Sequence, residues 1–388
     1  MEFRGLGKTG CEVSIIGFGG ERIDFKPYQN VKETIDAVIE HGINIIDVFM
    51  PGREIRENIA RALGEKRKKV MIQGGIGSTD INQHYDISRD LPVVQRYFED
   101  MLRIFGYIDF GMLFFIDSED DYKGVFETGV AEYAERLKKQ GHIRHIGFSS
   151  HNPETAMKVI NTGIVEMMMF SINPAYDMLP LTEYPLDYIE KDFEPGMFRG
   201  PDPKRGALYK LCTQKQIGIT AMKTLGVGKL LSPEHTPFAK PMTSIQCIHY
   251  ALSRPSVASA IMGSSTAAEV ADAAGYITAG DEQRDYAAVI STIQSDFRGS
   301  CVYCSHCQPC PAKIDIASVH KYLDIARMDL ANIPPSIRSH YLSMPYRGDE
   351  CTACGKCEKR CPFGVNIIAN LKEAAQVFYG ETIGHGCN

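Results

Sequence analysis

The stretch IRHIGFSSHNPETAMKVI at residues 143–160 contains the unit from which most of the chain is built. Its first eight residues form a short apolar run, which predicts a buried strand. Asn152 and Pro153 are residues that commonly begin a helix, and they follow the strand at once. The stretch therefore predicts one strand–helix unit of an α/β fold.

Seven further strands of this kind are predicted, at residues 15–20, 43–48, 70–75, 109–116, 165–173, 218–222 and 258–263. Amphipathic helices are predicted at 31–41, 53–64, 90–105, 124–139, 203–215, 243–253 and 266–276. Strands that are apolar on both faces belong in a parallel sheet covered by helices. Eight such units in about 275 residues match a closed (β/α)8 TIM barrel. An open doubly wound sheet is the alternative, but GFGG at 17–20 matches its glycine-rich loop only in part.

The C-terminal strand ends of such a barrel carry its chemistry. In this sequence they supply Gly19 to Glu21, Asp47, Gly74, Gly75, Phe114 to Asp117, Ser149, Ser150, His151, Asn173, Lys223 and Gly263 to Ser265. We select Asp47, Lys223 and His151 as candidate catalytic groups. Asp47 could instead be paired with a neighbouring cation, and Lys223 could be a solvated charge.

His145 lies inside a strand, which favours a core histidine. The segment 174–202 is too long for a connector and predicts a lid or a packing surface.

Two cysteine runs form a separate feature: CVYCSHCQPCP at 301–311 and CTACGKCEKRCP at 351–362. They hold eight of the twelve cysteines, namely Cys301, Cys304, Cys307, Cys310, Cys351, Cys354, Cys357 and Cys361. Three thiolates spaced by two residues, with a fourth before proline, is the spacing that binds a [4Fe-4S] cluster. The two runs therefore predict two clusters. Structural zinc is the alternative, although one zinc site needs only four ligands. Cys11, Cys212, Cys247 and Cys387 are predicted to be ordinary thiols.

The 388 residues are enough for a large domain and a smaller one. We predict a barrel over 1–296 and a cluster-binding domain over 297–388. The net charge of −6 argues against nucleic acid as a partner. No apolar run is long enough to span a membrane, and no signal peptide is apparent. Clustered cysteines without a secretion signal predict a cytoplasmic protein, and oxygen-sensitive clusters favour an anaerobe.

The chain resembles the aldo-keto reductases, in the branch that carries a C-terminal ferredoxin-like domain. The likeness rests on FRGLGKTGCEVSIIGFGG (3–20), GINIIDV (42–48), GHIRHIGFSSHNPETA (141–156), FSINPAYD (170–177), GITAMKTLGVG (218–228), AIMGSS (260–265) and both cysteine runs. It implies an aldo-keto reductase barrel followed by a ferredoxin-like domain with two [4Fe-4S] clusters. It also implies that the runs exchange ligands: Cys301, Cys304, Cys307 and Cys361 for one cluster, and Cys310, Cys351, Cys354 and Cys357 for the other.

Members of that family use an Asp–Tyr–Lys–His tetrad, in which Tyr donates a proton to the carbonyl. Only the Asp has a counterpart here, at Asp47. Gly52 lies near the place of the Tyr, Gln73 to Gly75 take the place of the Lys, and Phe114 that of the His. Without Tyr and Lys, the usual carbonyl reduction lacks its acid.

The nicotinamide site implied by the family is eroded as well. Its Ser–Asn pair corresponds to Ser149-Ser150, its Gln to Met169 and its stacking Tyr to Met222. Five residues remain as candidate cofactor-binding groups: Ser149, Asn173, Gly263, Ser264 and Ser265. The last three could hold a pyrophosphate through backbone N–H groups. The resemblance thus implies NAD(P)H as a possible cofactor, but most of the residues that would recognise it are replaced.

The preferred hypothesis is an oxidoreductase that passes electrons through two clusters to or from a small-molecule substrate at the barrel mouth. A ferredoxin, a flavodoxin or another redox protein would be its partner. One alternative is a conventional NAD(P)H-dependent reductase with structural clusters. Another is a non-catalytic barrel that carries electrons or joins a complex. If NAD(P)H binds, a flavin would usually convert its two-electron transfer into the one-electron transfers of the clusters. No flavin motif is apparent in the sequence.

Overall fold

The computed structural model describes residues 1–81, 84–179, 193, 202–291, 299–327 and 329–379. Most of the predicted insertion at 174–202, the predicted domain boundary at 296/297 and Cys387 lie outside these residues. The described strands are β1 Phe3–Gly5, β2 Glu12–Ser14, β3 Ile16–Gly19, β4 Ile45–Val48, β5 Met71–Ile76, β6 Ser78–Ile81, β7 His84–Ile87, β8 Ile108–Leu113, β9 Ile143–Ser150, β10 Met167–Ser171, β11 Gly218–Met222 and β12 Val257–Gly263.

Eight of these strands close into one barrel, in the order β3-β4-β5-β8-β9-β10-β11-β12. Every neighbouring pair is parallel, and β12 pairs with β3 to close the ring. The register places Gly19 beside Asp47, and Asp47 beside Gln73. All eight predicted strands are present, so the predicted (β/α)8 TIM barrel is confirmed.

Helices follow the barrel strands and cover the sheet. They span Tyr28–Glu40, Arg53–Leu63, Leu91–Phe105, Glu119–Phe126, Val130–Lys139, Pro153–Asn161, Pro174–Met178, Pro203–Lys215, Ser244–Leu252, Ala267–Ala274, Asp281–Arg284 and Ala287–Ile290. The single helix predicted over 124–139 is wrong, because Gly129 in the left-handed region (φ 88°) divides that segment into two helices. Within the part of the chain that the structure describes, no helix has the length and apolarity to cross a membrane.

The N-terminal hairpin β1–β2 closes the barrel at the N-terminal ends of the strands, which we call the floor. Leu6, in its turn, is fully buried in the barrel interior with Val13 and Phe110. The amide of Lys8 donates to the carbonyl of Gln216, two residues before β11. The barrel therefore has two distinct ends where polar side chains can lie: the floor, and the mouth at the C-terminal ends of the strands.

The C-terminal part contains the same local structure twice. Each cysteine run has a residue in the left-handed region just before its second cysteine, at Tyr303 (φ 58°) and Ala353 (φ 51°). The backbone N–H of each donates to the sulfur of the run's first cysteine, at 3.4 Å in both cases. Helices Ile316–Arg327 and Ile367–Tyr379 follow the runs and pack against each other. Helices Pro335–Leu342 and Lys356–Arg360 complete the described helices.

Arg254 joins the barrel to the C-terminal part. It lies three residues before β12 begins, near the floor, and is 8% exposed. Its guanidinium donates to the carbonyl of Val302 at 2.7 Å and lies 4.7 Å from the ring centroid of Tyr303. The hydroxyl of Tyr286 also donates to the Val302 carbonyl, at 2.8 Å. The first cysteine run is therefore held on the outside of the barrel, near its floor.

A Gly218→Ala substitution is expected to lower the free energy of unfolding by about 1–3 kcal/mol, the usual cost of overpacking. A Cβ at residue 218 would meet the Leu6 backbone at 2.6 Å and the Gly7 amide at 2.7 Å. Gly5→Ala is the matched control, because a Cβ there has nothing within 4 Å. Urea denaturation of both variants makes the comparison. Equal stability of the two would contradict this account of the floor.

Candidate functional site

A cavity that is partly open to solvent occupies the mouth of the barrel. The C-terminal ends of the barrel strands and the loops after them form its wall. All three candidate catalytic residues, Asp47, Lys223 and His151, line this cavity. The structure therefore brings together residues that are far apart in the sequence.

Asp47 lies near the C-terminal end of β4 and lines the cavity. Its side chain is 7% exposed, and the Gln73 amide donates to it at 3.4 Å. Burial raises the pKa of Asp47 to about 7, against a smaller lowering by the Gln73 hydrogen bond. The neighbouring cation that the sequence left open does not form an ion pair with Asp47 among the described residues. At neutral pH this carboxyl group can both donate and accept a proton.

Lys223 follows β11 with a left-handed backbone (φ 57°), a conformation that costs energy for a residue with a side chain. The side-chain amide of Asn173 donates to the Lys223 carbonyl at 2.9 Å and holds that conformation. Lys223 is half-buried and lines the cavity together with Arg22. These two cations can receive an anionic group of a substrate.

His151 and Asp117 form a buried pair at the mouth. The Nδ1 of His151 lies 2.8 Å from Asp117 Oδ2, and the hydroxyl of Ser150 donates to Asp117 Oδ1 at 3.0 Å. Burial acts to raise the pKa of Asp117, but the His151 imidazole and these hydrogen bonds outweigh it and hold that pKa below its ordinary value. His151 Nε2 is buried and has no hydrogen-bond partner among the described residues. A histidine oriented by a carboxylate, with its other nitrogen free, can transfer protons.

An aromatic wall, which the sequence did not predict, completes the cavity. Phe49 and Phe114 stack with their centroids 5.5 Å apart, and the ring edge of Tyr85 meets Phe49 at 5.2 Å. Tyr85 comes from the hairpin β6–β7, which follows β5 in the chain. This wall favours apolar contact with a ligand.

The candidate cofactor-binding residues separate into two groups. Ser149 and Gly263 line the cavity, although the Ser149 hydroxyl accepts a hydrogen bond from the Phe115 amide at 2.8 Å. Asn173 is fully buried, and its side chain bonds Lys223 and the amide of Tyr176. Ser264 is 4% exposed and is not among the residues lining the mouth.

Ser265 donates both its backbone N–H (2.6 Å) and its hydroxyl (3.0 Å) to the carboxylate of Glu269. Glu269 belongs to the first turn of the helix Ala267–Ala274. A negatively charged side chain of the protein therefore occupies the position where a pyrophosphate would accept these bonds.

The cysteine runs meet at a small apolar cavity. Four cysteines line it: Cys301, Cys304, Cys307 and Cys361. Burial raises the pKa of the Cys304 and Cys307 thiols to about 12 in the absence of any bound group. Of the other four cysteines, Cys354 is exposed, and Cys310 and Cys351 are half-buried. Among described residues, no three His, Cys, Asp or Glu side chains are arranged to hold a single metal ion.

Comparisons with known proteins support the fold. Residues 15–246, more than half of the chain, match the aldo/keto reductase family. Aldo-keto reductase AKR11C1 from Bacillus halodurans (holo form) is similar at 20% identity and a TM-score of 0.57, over 73% of this chain and 94% of that one. A Pseudomonas aeruginosa protein described as an aldo-keto reductase is similar at 18% identity and a TM-score of 0.53, over 71% of this chain and 96% of that one. No curated protein matches. The family match ends before the cysteine runs.

Asp47→Asn is expected to stabilise the protein at pH 8 by up to about 4 kcal/mol, and far less at pH 4.5. The folded chain holds the Asp47 proton up to about pH 7, while an unfolded chain releases it near 3.8. The wild-type penalty for ionising this buried group therefore grows as pH rises from about 4 to 7 and is complete above that range. Urea denaturation at both pH values measures it.

Glu40→Gln, which removes an exposed carboxylate from the helix Tyr28–Glu40, is the control. It should change stability by a similar small amount at both pH values. A gain for Asp47→Asn that does not depend on pH would contradict the elevated pKa of Asp47.

Proposed function

This chain belongs to the aldo/keto reductase family, and we propose that it is an iron–sulfur oxidoreductase of that family. A small-molecule substrate would bind at the barrel mouth, and two [4Fe-4S] clusters would bind in the C-terminal part, over about residues 297–388. One observation carries the proposal: four cysteines from runs about 50 residues apart line one apolar cavity.

The residues around that cavity suit a cluster. Cys301, Cys304, Cys307 and Cys361 would supply four thiolates, the number of cysteines that a cubane cluster requires. The Tyr303 N–H already points at the Cys301 sulfur, and such bonds stabilise a thiolate. Side chains of Ile316, Phe363 and other apolar residues exclude water from the cavity. When bound, a cluster of this kind exchanges single electrons.

The second cluster is assigned to Cys310, Cys351, Cys354 and Cys357. The internal repeat supports this assignment, because the Ala353 N–H donates to the Cys351 sulfur just as the Tyr303 N–H donates to the Cys301 sulfur. Cys354 is exposed. An exposed cluster edge is accessible to an external one-electron carrier, which supports a ferredoxin, a flavodoxin or another redox protein as partner.

The barrel mouth would handle protons for the substrate. His151 Nε2 is free of protein partners among the described residues, and Asp117 fixes its ring. Asp47 has a pKa of about 7, so it can take up or release a proton at neutral pH. Lys223 would bind an anionic group of the substrate. A mouth with these groups weighs against the alternative of a non-catalytic barrel.

Three observations weigh against NAD(P)H as the cofactor of this mouth. Glu269 takes the Ser265 N–H that a pyrophosphate would need. The sequence Gly263 to Ala273 contains no Lys or Arg of its own, although the side chain of Arg22 lies beside Gly263. Met169 and Met222 occupy the places of the amide-binding Gln and the stacking Tyr. We therefore assign no hydride-transfer step to a nicotinamide.

The two sites are well separated. Arg254 holds the first cysteine run near the start of β12, whereas Gly263 ends the same strand at the mouth. Seven residues at about 3.3 Å each put roughly 20 Å between the two ends of that strand. Electrons exchanged at the C-terminal part would therefore have to cross about this distance to reach a substrate at the mouth. Cluster ligands must be reduced thiolates, so the proposed clusters themselves favour a reducing, cytoplasmic location.

Anaerobically prepared protein is expected to contain about eight iron atoms and as many acid-labile sulfides per chain. Cys304→Ala and Cys361→Ala should each lose about half of the iron, because both thiols line one cavity. Cys247→Ala is the matched control, since Cys247 is fully buried in the barrel away from the runs. It should keep the full iron content. Stoichiometric zinc with little iron would overturn the assignment.

NADPH added anaerobically to the oxidised protein is expected neither to bind at micromolar concentration nor to bleach the visible absorption of the clusters. Fluorescence titration of the nucleotide and absorption spectra measure both. Dithionite, which needs no nucleotide site, is the positive control for reduction. Tight NADPH binding with substrate reduction would instead favour a conventional reductase.

A further inference from the structure

Cys11, His145 and Glu166 form a line of three interacting side chains at the floor of the barrel. Cys11 Sγ lies 3.6 Å from His145 Nε2. The opposite ring nitrogen, His145 Nδ1, lies 3.1 Å from Glu166 Oε1. Cys11 comes from the N-terminal hairpin, His145 from β9, and Glu166 from the residue before β10. The sequence indicated an ordinary thiol and a core histidine at these positions, but the fold places them in direct contact.

We propose that Cys11, His145 and Glu166 form a second reactive site, in which Cys11 is an activated thiolate that exchanges with low-molecular-weight disulfides. The order thiol, imidazole, carboxylate is the arrangement that activates a cysteine nucleophile elsewhere. This site is independent of the proposed iron–sulfur function, since it lies at the floor and uses none of the eight cysteines of the runs.

The electrostatics of the three groups support an ion pair. The hydrogen bond with His145 lowers the pKa of Cys11 against the opposing effect of burial. Hydrogen bonds with Cys11 and Glu166 raise the pKa of His145 to about 9. Burial acts to raise the pKa of Glu166, but hydrogen bonds from His145 and Lys138 lower it to about 2. At neutral pH the imidazole of His145 is therefore protonated, and its positive charge beside the sulfur favours the thiolate form of Cys11.

Other groups around the site keep this charge distribution. The Cys11 amide donates to the hydroxyl of Thr9 at 3.2 Å, which fixes the turn that carries the sulfur. Lys138 Nζ contacts Glu166 at 2.9 Å. Asp109 is the nearby negative group that opposes the thiolate, and it is neutralised by Arg67 and Arg144, each at 3.0 Å. The ring of His145 also stacks on Phe110, with centroids 5.5 Å apart.

The exchange step balances without an added oxidant. The Cys11 thiolate attacks one sulfur of the disulfide, and a new S–S bond forms as the original one breaks. The departing thiolate takes the proton that His145 holds, so one disulfide is exchanged for another. Cys11 is only half-buried, so part of the residue is in contact with solvent. Cys212 and Cys247 are fully buried, and burial alone raises the pKa of each well above its ordinary value.

The test is the rate at which iodoacetamide alkylates Cys11 in the anaerobic holoprotein. Tryptic peptide 9–22 contains Cys11 as its only cysteine, so mass spectrometry isolates its signal. Between pH 6.5 and 8.5 the wild-type rate is expected to change less than about threefold. An ordinary thiol with a pKa of about 8.5 would gain about fiftyfold over that range. A fiftyfold gain in the wild type would overturn the proposal.

His145→Gln keeps a hydrogen-bonding side chain but cannot hold the proton, so its rate should follow the ordinary fiftyfold profile. Glu166→Gln should fall between the two. The wild-type profile decides the matter even if a variant fails to fold. Oxidised glutathione should add one glutathione to peptide 9–22, and dithiothreitol should remove it. Alkylation of Cys11 without any mixed disulfide would overturn the exchange chemistry.

Discussion

The closed parallel barrel constrains where this chain can place polar chemistry. Strands buried on both faces need apolar side chains along their length, and Phe110, Met112 and Met167 fill the interior here. Ionisable groups can be satisfied only where strands begin or end, near loops and water. The mouth has Asp47 and His151, and the floor has the Cys11 site. The cysteine runs lie outside the barrel, which gives the molecule three chemically distinct regions.

The resemblance implies that three of the four tetrad residues are replaced, yet the mouth still contains paired ionisable side chains. The resemblance implies a histidine at the position of Phe114, which instead stacks on Phe49. His151, which follows the next strand, brings an imidazole to the same cavity. Asp117, after β8, supplies the carboxylate that orients it. Glu269 satisfies an amide that an anionic cofactor would otherwise bind.

Sequence patterns predicted the barrel because continuous apolar strands leave few alternatives. They did not predict the break at Gly129, since the helical periodicity continues across it. The hairpin β6–β7 was missed because STDI and HYDI mix polar and apolar residues over only four positions. Local patterns place Cys11 near a turn and His145 in a strand, but the contact between them spans 134 residues and depends on barrel closure. Long-range pairs of this kind, Asp117 with His151 among them, have no local signal.

The arrangement of the four cysteines around one cavity has a consequence for the order of synthesis. Cys307 and Cys361 are 54 positions apart, so the three lining cysteines of the first run leave the ribosome before Cys361. At roughly 5–20 residues per second, that interval lasts about 3–10 seconds. Arg254 and Tyr286 precede the first run, so a folded barrel can receive Val302 during this interval. The folded barrel would then hold the three cysteines of the first run in place until Cys361 has been synthesised.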